Sequence, residues 1–123
     1  MNNWMVEAIA SNSTNELARL QCADYLGRNM TRFEYLKEQG DELDAFVRAL
    51  IIGRADAAWV MADDSCITSF LLAAFRELKI SPSEKLKGKV KDIMLRHAHT
   101  EHFLTPTECL HALKDVINKY KGL

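Results

Sequence analysis

The sequence predicts an all-α fold, a single compact bundle of about five to seven helices joined by short capped turns. Only two prolines and five glycines interrupt the 123 residues, and runs of β-branched residues are almost absent. Both features favour long helices over many short strands and turns. A chain of this length buries roughly two-thirds of its unfolded surface, so residues 1–123 are expected to form one helical domain.

The clearest local signal is a capping box, in which a Ser or Thr is followed three residues later by Glu. Four stretches carry it: Ser13–Glu16, Thr31–Glu34, Ser81–Glu84 and Thr105–Glu108. The hydroxyl accepts from the N3 amide and the Glu side chain accepts from the cap's own amide, so two helix-terminal donors are satisfied. In the last two boxes a proline follows the cap and is expected at the first helical position, where its missing N–H costs nothing.

The apolar spacing between these caps sets the helix boundaries. A short helix is predicted near Asn3, and longer helices over residues 14–27, 32–39, 41–61, 64–79, 82–98 and 106–121. Gly27 and Gly40 stand where two of these helices end. Apolar residues three and four apart form a stripe on the 64–79 helix and another on the 106–121 helix. The second stripe includes Cys109, which is therefore expected to be a small core side chain.

The segment 41–61 is apolar on more than one face, which is typical of a central helix or of a helix that contacts a partner. Trp59 lies off its main stripe and is a candidate partner-binding residue. A continuous helix would place Arg54 within the stripe, where an unpaired guanidinium costs several kcal/mol. Either Gly53 breaks the helix and re-aims Arg54, or Arg54 forms an internal salt bridge, for example with the acidic stretch 41–44. The third interpretation is that Arg54 binds a partner or ligand.

Charge and cysteine usage exclude several classes of protein. The net charge is −1, but residues 1–79 hold 8 basic against 12 acidic side chains, and residues 80–123 hold 8 against 5. This distribution predicts a dipolar surface and argues against a general nucleic-acid binder. Three widely spaced cysteines predict reduced, buried thiols in the cytoplasm. The start of the chain does not resemble a secretory signal, no apolar run reaches the ~20 residues of a membrane span, and no cofactor is expected.

Four lysines alternate in the stretch "EKLKGKVK": Lys85, Lys87, Lys89 and Lys91. Helical spacing places Lys85 and Lys89 on one side of an apolar stripe and Lys87 and Lys91 on the other. Such lysines usually lay their stems over the stripe and keep their ammonium groups in water. A solvated helix face, a contact with an acidic partner and a phosphate-binding patch are the three interpretations. No aromatic residue interleaves with the lysines in the sequence, so stacking on single-stranded bases is not predicted.

Three of the four histidines fall within "RHAHTEH", residues 96–102. The structural interpretation is a helix C-terminus, with Arg96, His97 and His99 facing the partial negative charge of the last carbonyl groups. The i,i+3 and i,i+4 spacings also suit metal binding, but HExxH and CxxC motifs are absent and no metal site is predicted. A Cys–His nucleophile is not predicted either, because Cys109 lies on a buried stripe.

Arg96 and His102, separated by five residues before the last helix, resemble the R-x(4–6)-H signature of HEPN-type ribonucleases. These are small all-α domains, and the resemblance implies metal-independent action on the RNA phosphodiester near a dimer interface. Arg96 and His102 are then the catalytic residues, and His97 matches the polar residue that often follows the arginine. The resemblance covers only these positions and the general helical size of the chain.

Small helical domains without a catalytic signature mostly act by binding other macromolecules. The sequence therefore predicts a cytoplasmic protein-binding module, such as a regulator, inhibitor, immunity protein or adaptor, including those of phages and mobile elements. A catalytic role is retained only as the ribonuclease alternative. The expected partner is another protein, with a homodimer left open, and a nucleic-acid partner is not expected. The candidate contact residues are Lys85, Lys87, Lys89, Lys91, Arg54 and Trp59.

Overall fold

A computed structural model describes residues 3–123, and this range contains eight α-helices and no strand. They are α1 (Trp4–Asn12), α2 (Glu16–Gly27), α3 (Arg32–Gln39), α4 (Ala45–Ile52), α5 (Ala55–Met61), α6 (Asp64–Leu78), α7 (Glu84–His99) and α8 (Pro106–Tyr120). A single 3-10 turn, Gly40–Glu42, connects α3 to α4. The all-α prediction is confirmed, and the predicted count of five to seven helices is too low.

The count is too low because the predicted 41–61 helix is broken. Gly53 has φ 94°, a left-handed conformation that glycine adopts at little cost, and its N–H donates to the carbonyl groups of Ala49 and Leu50 at 3.0 and 3.2 Å. This arrangement ends α4. After the break, α5 starts in a new direction, so the stripe of α4 does not continue into it. Two of the interpretations of this segment are observed together: the helix breaks at Gly53, and Arg54 forms an internal ion pair, with Asp56 and not with the stretch 41–44.

Two of the four predicted capping boxes are present, at Thr31 and Thr105, each with both of its hydrogen bonds. Pro106 occupies the first helical position of α8, as predicted. The box at Ser13 is wrong, because the side chain of Asn15 caps α2 by accepting from the amide of Ala18 at 3.0 Å. Ser13 is instead buried, with its hydroxyl 2.9 Å from that of Ser65 on α6.

The box at Ser81 is also wrong. The hydroxyl of Ser83 caps α7 by accepting from the amide of Leu86 at 3.1 Å, and the helix begins at Glu84. Pro82 therefore precedes the helix and does not occupy its first position. The two starting points differ by two residues, which shifts no side chain of α7 to another face.

The core is centred on Phe70 of α6, which has no exposed surface. Its ring lies 5.5 Å from that of Trp59 and 5.9 Å from that of Trp4, so α1, α5 and α6 meet at this point. The indole N–H of Trp59 donates to the sulfur of Cys109 on α8 at 3.1 Å. The predicted apolar stripes of α6 and α8 face this core. Their buried members are Ile67, Phe70, Leu71, Ala74 and Phe75 on α6, and Cys109, Leu113, Val116 and Ile117 on α8.

Within residues 3–123, no helix combines the length and the apolar character that crossing a bilayer demands. The longest helices, α6, α7 and α8, each have one buried face and one face of exposed polar side chains. The α7 and α8 pair positions the candidate site, because these two helices pack side by side and the N-terminal half of α7 lies against the C-terminal end of α8.

Candidate binding groove on α7 and α8

The four lysines of α7 lie in two pairs on opposite sides of the helix, as predicted. On the α6 side, Lys91 forms an ion pair with Asp64 at 2.8 Å, and Lys87 forms one with Glu84 at 2.7 Å. On the α8 side, Lys89 lies over the ring of Tyr120, 5.2 Å from its centroid. Lys85 is exposed and forms no ion pair within residues 3–123. Lys87 and Lys91 are therefore paired with carboxylates within the protein, whereas Lys85 and Lys89 remain available to a partner.

Gly88 lies between the two lysine pairs. At about 100° per residue it is roughly 160–200° from the buried side chains of Leu86 and Val90, so it faces away from the core. A Cβ added at Gly88 would meet no heavy atom within 4 Å. A helix-interior glycine costs about 0.8–1.0 kcal/mol relative to alanine. Packing within the described chain gives no reason for this cost, because the space above Gly88 is open.

A groove of about 510 Å³ runs beside Gly88 on the α8 side. It is lined by Glu84, Lys85, Gly88, Lys89, Asp92, Tyr120 and Leu123. Its apolar wall is the ring of Tyr120 together with Leu123, whose side chain is 42% exposed. Its polar wall holds two lysines, Lys85 and Lys89, and two carboxylates, Glu84 and Asp92. Lys119 lies beside this wall, over the Tyr120 ring, 5.5 Å from the centroid. We call this the α7–α8 groove.

A smaller groove of about 220 Å³ lies on the α6 side of Gly88, where Lys87, Lys91 and Leu71 contribute to the lining. Gly88 borders both grooves because it has no side chain to fill the crest between them. A segment that crosses α7 at this position therefore reaches its backbone directly and meets lysines on both sides.

Arg54 and Trp59 occupy different places from the lysines. Trp59 is completely buried, so its side chain cannot contact a partner, and its interpretation as a contact residue is corrected. Arg54 binds the carboxylate of Asp56 through Nε and Nη2, both at 3.2 Å, and the acidic stretch 41–44 is not its partner. Burial alone raises the pKa of Asp56, but hydrogen bonds from Arg54 and from backbone amides outweigh it and hold that pKa below its usual value. Arg54 thus secures the start of α5.

The histidine cluster lies at the C-terminal end of α7, as the structural interpretation predicts. The rings of His97 and His102 are stacked, with centroids 4.6 Å apart and planes 20° apart. Arg96 and His97 line a second groove between α7 and α8, of about 310 Å³, together with Asp115, Lys119 and Tyr120 on α8. His97 is partly buried, and burial, followed by the proximity of His102 and Arg96, lowers its pKa.

The cysteines are free and buried, as predicted. Burial raises the pKa of the Cys109 thiol to about 12, although the hydrogen bond from Trp59 acts in the opposite direction. Burial is also the main cause that raises the pKa of Cys22 to about 12 and of Cys66 to about 11. Thiols with such pKa values remain protonated at neutral pH and are poor nucleophiles. Among residues 3–123, no three His, Cys, Asp or Glu side chains are grouped to hold a metal ion.

Of the seven residues that line the α7–α8 groove, the sequence analysis proposed only Lys85 and Lys89, and Gly88 and Tyr120 are the most informative of those it missed. Tyr120 supplies the aromatic ring that is absent between the lysines in the sequence, and it comes from a different helix. The signal for Gly88 is visible in the sequence, because a glycine in the middle of an amphipathic, lysine-rich helix is unfavourable for the helix itself. No protein-family model matches this chain, and no curated protein or solved structure compared with it matches either.

Proposed function

We propose that this chain is a small protein-binding module that binds an acidic segment of another protein across α7 at Gly88. The observation that carries the proposal is the open, side-chain-free position on the outer face of α7 between two lysine pairs. A glycine that lowers helix stability without an internal packing role is explained by the close approach of another backbone. Adaptor, inhibitor and regulator are all roles that such a module performs.

The charges around the α7–α8 groove favour an acidic partner. Of the two carboxylates in the lining, that of Glu84 is bound by Lys87. Lys85 forms no ion pair within residues 3–123, so its charge is free to attract an acidic segment and accelerate its association.

The apolar wall of the groove supports a protein partner over a nucleic acid. Tyr120 and Leu123 offer a contact for an apolar side chain, and buried apolar contacts supply much of the affinity of protein interfaces. Single-stranded nucleic acids bind by stacking bases on exposed aromatic faces. Tyr120 is the one aromatic residue in the groove lining, so successive bases have no second ring to stack on. We place the module in a reducing compartment such as the cytoplasm, because its three buried cysteines are unpaired.

The proposal is tested by capture from cell extract with matched charge variants. Lys85→Glu reverses one charge in the groove, and Lys37→Glu reverses the charge of an equally exposed lysine on α3. Neither lysine forms an ion pair within residues 3–123. Mass spectrometry is expected to identify a protein that the wild type and Lys37→Glu capture and that Lys85→Glu loses. Capture of the same proteins by all three chains contradicts the proposal.

The second candidate function is the metal-independent ribonuclease. The specific observation in its favour is that Arg96 and His102 both adjoin His97, the first as its neighbour on α7 and the second by ring stacking. Lys119 adds a second cation to the groove that Arg96 lines, and two cations suit a phosphodiester. Purified wild type, Arg96→Ala and His102→Ala are compared on total RNA. Cleavage by the wild type that both variants lose supports this candidate, and no cleavage by any of them removes it.

A further inference from the structure

The histidine pair at the end of α7 has a feature that protein binding at Gly88 does not use. Nδ1 of His97 is buried and has no hydrogen-bond partner, although the other ring of the stack is only 4.6 Å away. Buried polar atoms in native proteins are nearly all paired, so an unpaired one points to a specific role. Protonation of Nδ1 is unfavourable, because the resulting charged N–H has no hydrogen-bond acceptor.

The charged groups around His97 come from α7, from the following turn and from α8. Arg96 precedes it on α7, and His102 of the turn covers its ring. Across the groove, α8 contributes Asp115 and Lys119, whose opposite charges offset one another. A proton on His97 therefore adds a positive charge to a place where Arg96 and a second imidazole are already close.

The acidic groups on the α5 side of α7 border a different groove. Asp56 and Glu101 line it together with His99, and Asp56 is already bound by Arg54. These carboxylates therefore do not accept a hydrogen bond from Nδ1 of His97, which has no partner in the described structure.

His102 belongs to the turn that joins α7 to α8, residues 100–104. Its N–H donates to the carbonyl group of His97 at 3.0 Å, and the hydroxyl of Thr100 contacts its Nδ1. Glu101 adopts φ 56°, a left-handed conformation that is unfavourable for a non-glycine residue. The turn therefore holds some backbone strain at Glu101, which its hydrogen bonds to the end of α7 offset.

The same turn is fastened to α5 by two contacts. The N–H of Ala55, the first residue of α5, donates to the carbonyl group of Leu104 at 2.8 Å. Phe103 is buried, and its ring lies 6.2 Å from that of Trp59 in an edge-to-face arrangement. A movement of His102 away from His97 therefore acts on the start of α5 and on the core ring of Trp59.

We propose that the stacked rings of His97 and His102 form a pH-sensitive latch, which holds the 100–104 turn against α5 when the ring of His97 is neutral. Protonation of His97 breaks the stack, because a charged N–H at Nδ1 has no acceptor and the added positive charge lies close to Arg96 and His102. The strain at Glu101 then favours release of the turn. This inference is independent of the proposed function, since it involves the opposite end of α7 from Gly88.

The sign of the effect follows from linkage. Burial holds the pKa of His97 in the closed form below its ordinary value, and the open form exposes the ring, which then has a pKa near about 6.5. Opening therefore takes up a proton, and the open fraction rises as the pH falls from about 6.5 towards the pKa of the closed form. Within this window the opening constant rises by up to about tenfold per pH unit, and below it the rise stops.

The latch is tested by amide hydrogen exchange measured with NMR between about pH 7.5 and about pH 5. After correction for intrinsic exchange rates, the protection of the Ala55 amide is expected to fall by up to about tenfold per pH unit below about 6.5. His97→Phe keeps a stacking ring that cannot be protonated, so it is expected to remove this fall. His111→Gln, at an exposed position of α8, is the control and is expected to retain it.

Two results overturn the latch: protection of Ala55 that does not change with pH in the wild type, or an equal fall in His97→Phe. Should His97→Phe not fold, the imidazole resonances of the wild type provide the second measurement. A titration of His97 at or above its ordinary value of about 6.5 overturns the inference, and a lower one that coincides with the change at Ala55 supports it.

Discussion

Replacing Gly88 by alanine is expected to change stability and binding in opposite directions. The position is inside α7, and the added Cβ has no heavy atom within 4 Å, so the methyl group fits without strain. The gain in free energy of unfolding is then the full difference in helix propensity, about 0.8–1.0 kcal/mol. Unfolding entropy of about 2.1 cal/mol/K per residue gives about 260 cal/mol/K for the 123 residues, so Tm is expected to rise by about 3–4 °C.

Binding of the acidic partner is expected to weaken in the same variant. If the partner's backbone approaches α7 at Gly88, the methyl group occupies space that the interface uses. Adding a methyl group to a well-packed site costs about 1–3 kcal/mol. Because 1.4 kcal/mol corresponds to a tenfold change in Kd, affinity is expected to fall by about 5- to 150-fold. Calorimetric unfolding measures the first effect, and titration of the captured partner measures the second.

Gly27→Ala is the matched control. Gly27 is the last residue of α2, and its added Cβ also meets nothing within 4 Å, so the substitution is expected to be mildly stabilising. It lies on another helix and should leave the affinity for the partner unchanged. The reasoning about close approach is refuted if Gly88→Ala binds as tightly as the wild type. The reasoning about open space is refuted if Gly88→Ala has the same Tm as the wild type or a lower one.

Three further predictions concern the fold that holds the groove. Phe70→Ala removes the ring at the centre of the core, and urea denaturation is expected to show a loss of about 3–5 kcal/mol in free energy of unfolding. Thr105→Ala removes the cap of α8 and is expected to cost about 1 kcal/mol in the same assay, whereas Thr107→Ala should change it by less than about 0.5 kcal/mol. The pKa of Asp56 is lowered in the folded protein, so its carboxylate contributes stability above about pH 4 that is lost as the pH falls through the folded pKa. Because Arg54 helps to lower that pKa, Arg54→Gln is expected to reduce the difference in Tm between about pH 7 and about pH 3.

Each of these has a specific contradictory result. A loss below about 1 kcal/mol in Phe70→Ala would mean that Phe70 is not the centre of the core. Equal effects of Thr105→Ala and Thr107→Ala would show that the cap of α8 does not depend on the Thr105 hydroxyl. An unchanged acid dependence in Arg54→Gln would show that Asp56 is held by backbone amides alone.

Helix positions were largely predictable from the sequence, because the apolar spacing and the glycine stops are local. The choice among neighbouring capping residues was not. Ser13 and Asn15 are both good caps, and only the contact between Ser13 and Ser65 of a distant helix commits Ser13 to the interior. The break at Gly53 was one of the predicted alternatives, but the burial of Trp59 depends on the direction that α5 takes after the break. Helical spacing within one segment does not specify that direction.

The candidate site was also predictable only where it depends on local helical spacing. The division of the lysines into two pairs follows from helical geometry alone, and the structure shows it. Helical geometry does not show which lysine pair is available to a partner, because Asp64, which forms the ion pair with Lys91, belongs to α6. The aromatic wall also comes from another helix, since Tyr120 reaches α7 only through the packing of α8. Contacts between helices distant in the sequence therefore account for what the sequence analysis missed.

The two candidate functions share α7 but are separable by mutation. Gly88 and Arg96 are eight residues apart, about 12 Å along the helix axis, so Lys85→Glu and Arg96→Ala each change one site directly. The sites meet at Tyr120, which lines both the α7–α8 groove and the groove of Arg96 and His97. A partner segment seated against Tyr120 therefore borders the second groove and restricts the approach of RNA to Arg96. If the chain both binds a protein and cleaves RNA, the bound partner is therefore expected to slow the cleavage.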